Sequence, residues 1–105
     1  MLRANFSGPG GLQETWLVRV RGRVQGVGYR DSCVRYAQAN GIRGWVRNWR
    51  DGSVELTLQG PQSAIAAMRI WLQHHVPGAH VTDMDAEQLH DVLQPLDGFK
   101  RAPTE

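Results

Sequence analysis

The sequence predicts an α+β domain with the element order β-α-β-β-α-β. Three observations support this order. Apolar residues alternate with polar ones in residues 16–21 and 54–59, they recur at helical spacing after Tyr29 and after Pro61, and Asp51-Gly52 is typical of a two-residue hairpin turn. A chain of 105 residues has room for one domain that buries about 65% of its surface. Folds that need 200 residues or more, such as a TIM barrel, are excluded.

The first half of the chain predicts strand, loop, helix. Residues 16–21 alternate with a period of two and predict a strand, which the glycine-rich residues 22–28 end. A helix follows, with Gly41 placed for a left-handed cap and with apolar positions at Tyr29, Cys33, Val34 and Ala37. Residues 1–13 contain Ser, Pro and several Gly and show little periodicity, so we expect a flexible extension before a domain that spans residues 14–105.

The second half predicts a hairpin, a helix and a strand. Residues 43–49 and 54–59 flank the Asp-Gly turn, and a helix begins near Pro61 with Ile65, Met68 and Leu72 on one face. Residues 79–87 form a fourth strand in which Asp83 and Asp85 would share a face with Val81, so we expect a bulge. Phe99 is followed by Lys100, Arg101 and Pro103, which give a final strand little apolar support, so the sequence leaves that strand open.

This order is the split βαβ, or ferredoxin-like, arrangement, an antiparallel sheet with two helices on one face. Right-handed crossovers place both helices on the same side and leave the other side of the sheet free. Because many functions share this fold, function has to be argued from a site.

Charge is distributed unevenly along the chain. Residues 16–50 hold eight arginines and one acid, Asp31, for a net charge of +7, whereas residues 51–105 have a net charge of −5. Arginine suits phosphate and carboxylate groups because its planar fork can bind them with two hydrogen bonds. The first half is therefore expected to bind an anion, although most of these arginines taken singly fit a solvated face of a strand or helix.

The loop of residues 22–28 is the strongest candidate for that anion site. Glycines allow successive N–H groups to point at one spot, and the helix that follows adds partial positive charge, with Arg30 in its first turn. The spacing fits neither a Walker A loop nor a dinucleotide fingerprint. Asn48, at the end of the next strand, is a second polar candidate, although Asn before a tight turn also has a purely structural interpretation.

Together these residues resemble the acylphosphatase family. Residues 22–30, Gly-Arg-Val-Gln-Gly-Val-Gly-Tyr-Arg, are similar to its phosphate-binding signature, and residues 44–48 with 51–55 are similar to its second signature, in the family's order and spacing. The similarity covers roughly residues 15–87. It implies a ferredoxin-like fold and hydrolysis of the carboxyl–phosphate bond of acyl phosphates to a carboxylate and inorganic phosphate, with no metal and no cofactor.

The resemblance also assigns residues. Arg30 matches the family's phosphate-binding arginine and Asn48 the asparagine that orients the attacking water, so these two are the expected catalytic residues. Phosphate binding is expected from Gln25, Gly26, Val27, Gly28, Tyr29 and Arg30. Tyr29 stands where the family more often has Phe, and Trp49, beside Asn48, is a position that could alter leaving-group preference.

Other chemistries and partners fit the sequence less well. Cys33 has Ala39 six residues later, where a tyrosine-phosphatase site needs Arg, and the four histidines lack metal-ligand spacing. An RNA-binding sheet, suggested by residues 43–49, and a non-catalytic binding domain remain as alternatives. We expect a cytoplasmic monomer that acts on a small acyl phosphate, with no nucleic-acid or membrane partner, since no apolar run approaches the ~20 residues of a membrane span.

Overall fold

The computed structural model describes residues 13–92 and 94–105, and within them two helices cover one face of a five-stranded sheet. Residues 1–12 of the predicted extension lie outside the described residues. The elements are β1 (Gln13–Arg23), α1 (Tyr29–Ala39), β2 (Arg43–Asn48), β3 (Val54–Pro61), α2 (Gln62–His74), β4 (His80–Leu89) and β5 (Phe99–Arg101). The predicted ferredoxin-like order is confirmed, and a short fifth strand is added to it.

The sheet has the strand order β4-β1-β3-β2-β5. All neighbours are antiparallel except β2 and β5, which are parallel. Strand β3 is in the middle, between β1 and β2, so these three are the central strands. The loop that leaves β1 and the hairpin between β2 and β3 lie at the same end of the sheet, because Val54 pairs with both Val20 and Asn48. This end carries the predicted site.

The core lies between the sheet and the helices. Alternate strand residues point into it, because successive side chains of a strand face opposite sides. The largest of its fully buried side chains are Tyr29, Leu56, Leu58, Ile65, Met68 and Leu72. The predicted apolar faces of both helices are therefore confirmed as core, and Cys33 is part of it, fully buried in α1.

The opposite face of the sheet carries charged and aromatic side chains. Glu55 on β3 lies between Arg19 on β1 and Arg47 on β2, at 3.3 Å and 2.9 Å. The indole of Trp49 donates to the same carboxylate at 2.9 Å, and the guanidinium of Arg19 lies over its ring. This cluster of Arg19, Arg47, Trp49 and Glu55, the open-face cluster below, accounts for part of the positive charge of residues 16–50.

The bulge expected in β4 is confirmed. Arg21 pairs with Asp83 whereas Gly22 pairs with Val81, so Thr82 is the additional residue. The change of register turns Met84 toward the core while Asp83 and Asp85 both reach Arg21 at 2.8 and 2.9 Å. Gly22 is required there: it has a φ of +124°, and a Cβ would lie 2.3 Å from the carbonyl oxygen of His80.

The final strand, which the sequence left open, forms as β5 beside β2. Phe99 is only 3% exposed and supplies the apolar anchor. Backbone bonds supply the rest: Gly44 N–H donates to Gly98 O at 2.8 Å, Ala102 N–H to Val46 O at 2.8 Å, and Glu105 N–H to Asn48 O at 3.0 Å. The C-terminal residues are thus bound along β2 as far as Asn48.

Candidate active site

The loop between β1 and α1 has the conformation that an anion site needs. Gly26 and Gly28 have φ values of +76° and +78°, and a Cβ at either would meet no atom within 4 Å, so glycine is needed there for its backbone freedom and not for space. Gly28 is the N-cap of α1, and no side chain caps the helix there in the described chain. The N–H groups of the first turn are therefore available to a bound anion.

A small cavity opens at this helix end. Its volume is about 130 Å³, and it is lined by Val24, Gly26, Gly28, Tyr29, Arg30, Asp31 and Arg101. Cavities that hold drug-sized ligands measure about 300–1,000 Å³. The size is suited to a small anion such as a phosphoryl group, with the remainder of a substrate lying outside.

Arg30 is one of the two arginines that line this cavity. Its side chain is half-buried in the first turn of α1, and within residues 13–92 and 94–105 it forms no ion pair and no side-chain hydrogen bond. Arg19, Arg21 and Arg47, by contrast, all contact carboxylates. The structure therefore places the predicted phosphate-binding arginine in the cavity with its guanidinium unoccupied.

The other predicted phosphate-binding residues divide into two groups. Gly26, Gly28 and Tyr29 line the cavity together with Arg30, whereas Gln25 and Val27 do not. Val27 packs against the core instead. The amide of Gln25 points to the β2–β3 hairpin, where it donates to the carbonyl oxygens of two of its residues, Trp49 at 2.8 Å and Ser53 at 2.9 Å.

Tyr29 lines the cavity, and its side chain is buried in the core. It is 1% exposed, and its hydroxyl donates to Leu72 O at 2.9 Å, which joins α1 to α2. Burial raises the pKa of this phenol well above its ordinary value, with the nearby Cys33 adding to the effect. The hydroxyl therefore stays protonated and serves the fold, and a Phe at this position would lose only that bond.

Asn48 lies at the end of β2, on the helix-facing side of the strand. It pairs with Val54 of β3, and Val54 pairs in turn with Val20 of β1. Its Oδ1 atom is buried and has no hydrogen-bond partner among the described residues. An unsatisfied buried acceptor costs about 1–3 kcal/mol, so it calls for an explanation such as a bound water. Asn48 does not itself line the cavity, but the side chain of Gln25 in the β1–α1 loop donates to the carbonyl oxygen of Trp49, the residue after Asn48.

Trp49 does not reach the cavity. Its indole belongs to the open-face cluster, stacked on Arg19 at 4.4 Å and near Arg47 at 5.5 Å. An influence of this side chain on the leaving group is therefore not supported by its position. Its backbone carbonyl, which accepts from Gln25, is the part that contributes to the site.

Three residues that line the cavity were not among the predicted site residues: the apolar Val24 and two charged residues, Asp31 and Arg101. The two charged residues are the ones that matter for binding an anion. They form an ion pair at 2.8 Å across 70 residues of sequence. No local motif contains both, and Arg101 lies on the strand that the sequence left open. The only available signal was their type, a charged pair in a chain with an expected anion site.

Other chemistries find little support in the described residues. Burial raises the pKa of the Cys33 thiol well above its ordinary range, so it is a poor nucleophile. Residues 13–92 and 94–105 contain no group of three His, Cys, Asp or Glu side chains that could hold a metal ion. Neither of the two described helices is long and apolar enough to cross a membrane.

Comparisons with known proteins identify the family of this chain. The family model for Acylphosphatase matches residues 16–100. An acylphosphatase from Polaromonas naphthalenivorans is 50% identical over 90 residues, which cover 86% of this chain and 89% of the relative. Among solved structures, an acylphosphatase from Coxiella burnetii superposes with a TM-score of 0.79 at 31% identity, over 86% of this chain and 93% of that one. An acylphosphatase from Bacillus subtilis superposes with a TM-score of 0.79 at 30% identity, over 85% of this chain and 98% of that one. A family match over most of the chain, a half-identical relative and the same fold show that this chain belongs to the acylphosphatase family.

Proposed function

We propose that residues 22–28, which end β1 and lead into α1, carry out the hydrolysis of acyl phosphates that characterises the family, together with Arg30 and Asn48. The observation that carries this assignment is the arrangement of one small cavity: a helix N-terminus without a side-chain cap, two glycines with positive φ and the unoccupied guanidinium of Arg30. Each of these groups favours a compact dianion over a neutral or extended ligand.

The loop and Arg30 bind the phosphoryl group. Backbone N–H groups of the first turn and the arginine fork contact its non-bridging oxygens and stabilise the charge that these oxygens carry during transfer. An acyl phosphate leaves as a carboxylate, which is a weak base. No strong general acid is therefore needed, and the site requires only positioning and charge stabilisation.

Asn48 positions the water. Its buried Oδ1 can accept a hydrogen bond from that water and hold it in line with the bond that breaks. The water oxygen bonds to phosphorus as the bond from phosphorus to the acyl oxygen breaks, and the electron pair leaves with the carboxylate. Both water protons go to the product, so an acyl phosphate dianion gives a carboxylate and dihydrogen phosphate.

We expect hydrolysis of acetyl phosphate by the purified protein at a rate that EDTA does not change, because the proposed groups are all backbone or side-chain atoms. A phosphomonoester such as p-nitrophenyl phosphate should be cleaved far more slowly, since an ester oxygen is a poorer leaving group and no residue clearly supplies a proton. Release of inorganic phosphate measures both. Loss of acetyl phosphate hydrolysis on chelation, restored by added metal, would contradict the proposal.

The open face of the sheet gives little support to the RNA-binding alternative. Base stacking needs a free aromatic face, but guanidinium groups lie over both tryptophans of β2 and its turn, Trp45 and Trp49. Competition experiments distinguish the two functions. Inorganic phosphate should inhibit at one saturable site, whereas an RNA surface would respond chiefly to salt and polyanion length.

Compartment and assembly are also proposals. The described chain supplies every group named above, so we propose that a monomer is active. The single cysteine of the sequence, Cys33, is buried in the core and can form no internal disulfide, which fits a reducing cytosol. Light scattering during size-exclusion chromatography, with activity measured across the peak, tests the first point.

A further inference from the structure

We propose that Arg101 is a second phosphoryl-binding residue of this active site, held toward the cavity by Asp31. The inference rests on the proposed function, since it assumes that the phosphoryl group occupies the cavity beside Arg30. It adds to the site a cation from the last strand, β5. This residue lies outside both sequence signatures.

The geometry places Arg101 at the ligand. Its side chain lines the same cavity of about 130 Å³ as Gly26, Gly28 and Arg30. Because the cavity is so small, a side chain that lines it is close to the phosphoryl group and not to a distant part of the acyl group. Arg101 therefore contacts the part that all acyl phosphates share.

The pair with Asp31 leaves most of the arginine fork free. Nη1 of Arg101 lies 2.8 Å from Oδ1 of Asp31, and this is its one ion pair among the described residues. A guanidinium has five N–H donors. The aspartate thus fixes the direction of a long side chain that is 47% exposed and that would otherwise lose more conformational freedom on binding.

Asp31 has an opposite effect on the ligand itself. Its carboxylate also lines the cavity and repels a phosphoryl dianion. In the pair, the positive charge of Arg101 offsets this repulsion, and its N–H groups also donate to the ligand. Removal of Arg101 should therefore weaken anion binding for two reasons: the donors are lost and the charge of Asp31 is left uncompensated. Replacement of Asp31 by asparagine should not weaken anion binding, because asparagine keeps an acceptor for Arg101.

The test compares Arg101→Met, Asp31→Asn and the control Lys100→Met by the Ki of inorganic phosphate and by kcat and KM for acetyl phosphate. Lys100 precedes Arg101 on β5, pairs with Asp97 at 3.3 Å and does not line the cavity. We expect Arg101→Met to raise Ki and KM about tenfold with a smaller change in kcat, because the contact exists in both ground and transition states. Asp31→Asn should leave Ki unchanged or lower it about twofold. Lys100→Met should change neither.

A purely structural clamp between β5 and α1 predicts a different pattern. Both Arg101→Met and Asp31→Asn would then lower the melting temperature and, per folded molecule, leave Ki at the wild-type value, which overturns the proposal. A rise in Ki in both variants also overturns it. An Arg30→Met variant separates this inference from the proposed function: if Arg30→Met keeps the wild-type Ki, the site assignment fails, whereas if only Arg101→Met keeps it, the role of Arg101 fails.

Discussion

Arg30 and Arg47 carry the same guanidinium group, and their neighbours decide what each one does. Arg47 lies on the open face of the sheet, 2.9 Å from Glu55, so its charge is already compensated. Arg30 lies at a helix N-terminus beside two glycines and meets no carboxylate in the described chain. Composition alone could not separate the two residues, whereas the loop that precedes Arg30 could.

At the same scale, Arg30→Ala should raise the Ki of inorganic phosphate and lower kcat together, because the fork contacts phosphoryl oxygens in the ground state and in the transition state. We expect a loss of about 10² or more in kcat/KM for acetyl phosphate. Arg30→Lys should recover little, since an ammonium is a point charge without the fork. Near-normal kinetics in Arg30→Lys would show that the assignment of a bidentate clamp is wrong.

Asn48→Ala should affect turnover and spare binding, because the loop and Arg30 remain in place. We expect kcat to fall about 10²- to 10³-fold, the range for loss of one preorganised hydrogen-bonding group, with the Ki of phosphate within about twofold. Asn48→Asp should be no better, since its carboxylate would repel the phosphoryl group.

Melting temperatures measured in parallel test the turn interpretation of Asn48. The Oδ1 atom makes no hydrogen bond in the described chain, so its removal should cost little stability. If the kcat of Asn48→Ala recovers to the wild-type value once the folded fraction is taken into account, Asn48 is a turn residue and the role in catalysis is wrong.

At the scale of elements, the site depends on the contact between the β1–α1 loop and the β2–β3 hairpin. The Gln25 amide is the bridge, since it donates to carbonyl oxygens on both sides of the turn. In the proposed mechanism, this bridge fixes the distance between the β1–α1 loop, which would bind the phosphoryl group, and Asn48, which would hold the water. A small displacement there is costly, because catalysis needs near-attack geometry.

Gln25→Met keeps the length of the side chain and removes both hydrogen bonds. We expect kcat/KM to fall about tenfold or more and stability to fall by about 1–2 kcal/mol. Gln38→Met is the matched control. It removes the hydrogen bond that the side-chain amide of Gln38, on α1, donates to Phe99 O at 3.3 Å, away from the loop. Equal kinetic losses in the two variants would contradict a positioning role for Gln25.

Elements also differ in how well the sequence predicts them. The helices, the hairpin and the bulge in β4 follow from local patterns, because side-chain periodicity reports which face is buried. β5 does not. It is a parallel edge strand of three residues held by one buried side chain, Phe99, and by backbone bonds to β2, and backbone bonds leave no trace in the order of residue types.

At the scale of the whole molecule, the same difference between local patterns and long-range contacts decides which site residues the sequence predicts. The loop and Asn48 can be predicted because each lies in a contiguous signature. The pairing of Asp31 with Arg101 depends on how the last strand meets the first helix, which only the three-dimensional fold fixes. Gln25 is predicted from the sequence as a phosphate-binding residue, but it does not line the cavity, and its side-chain amide donates to the hairpin. The sequence pattern of the loop does not specify where that amide points.

The open-face cluster links the three central strands β1, β2 and β3, so its charge state should influence the stability of the whole sheet. Burial by itself would raise the pKa of Glu55, but hydrogen bonds from Trp49, Arg47 and Arg19 outweigh burial and lower the pKa below its ordinary value. A carboxylate whose pKa is lower in the folded state stabilises the fold above its unfolded pKa of about 4.3. That stabilisation is lost as the pH falls through the folded pKa.

Glu55→Gln should therefore be destabilised at pH 7 and much less so in acid. We expect the free energy of unfolding at pH 7 to fall by about 2 kcal/mol, because Arg19 and Arg47 lose a buried partner, and the melting temperature to fall by roughly 10 °C. Near pH 3 the free energy of unfolding of the wild type should approach that of the variant, since protonation removes the same charge.

Glu87→Gln, at an exposed position of β4, is the control, and its free energy of unfolding should differ little from that of the wild type at either pH. Urea unfolding at the two pH values measures the difference, and a gap between wild type and Glu55→Gln that stays equal at pH 3 and pH 7 would show that the carboxylate charge does not stabilise the sheet.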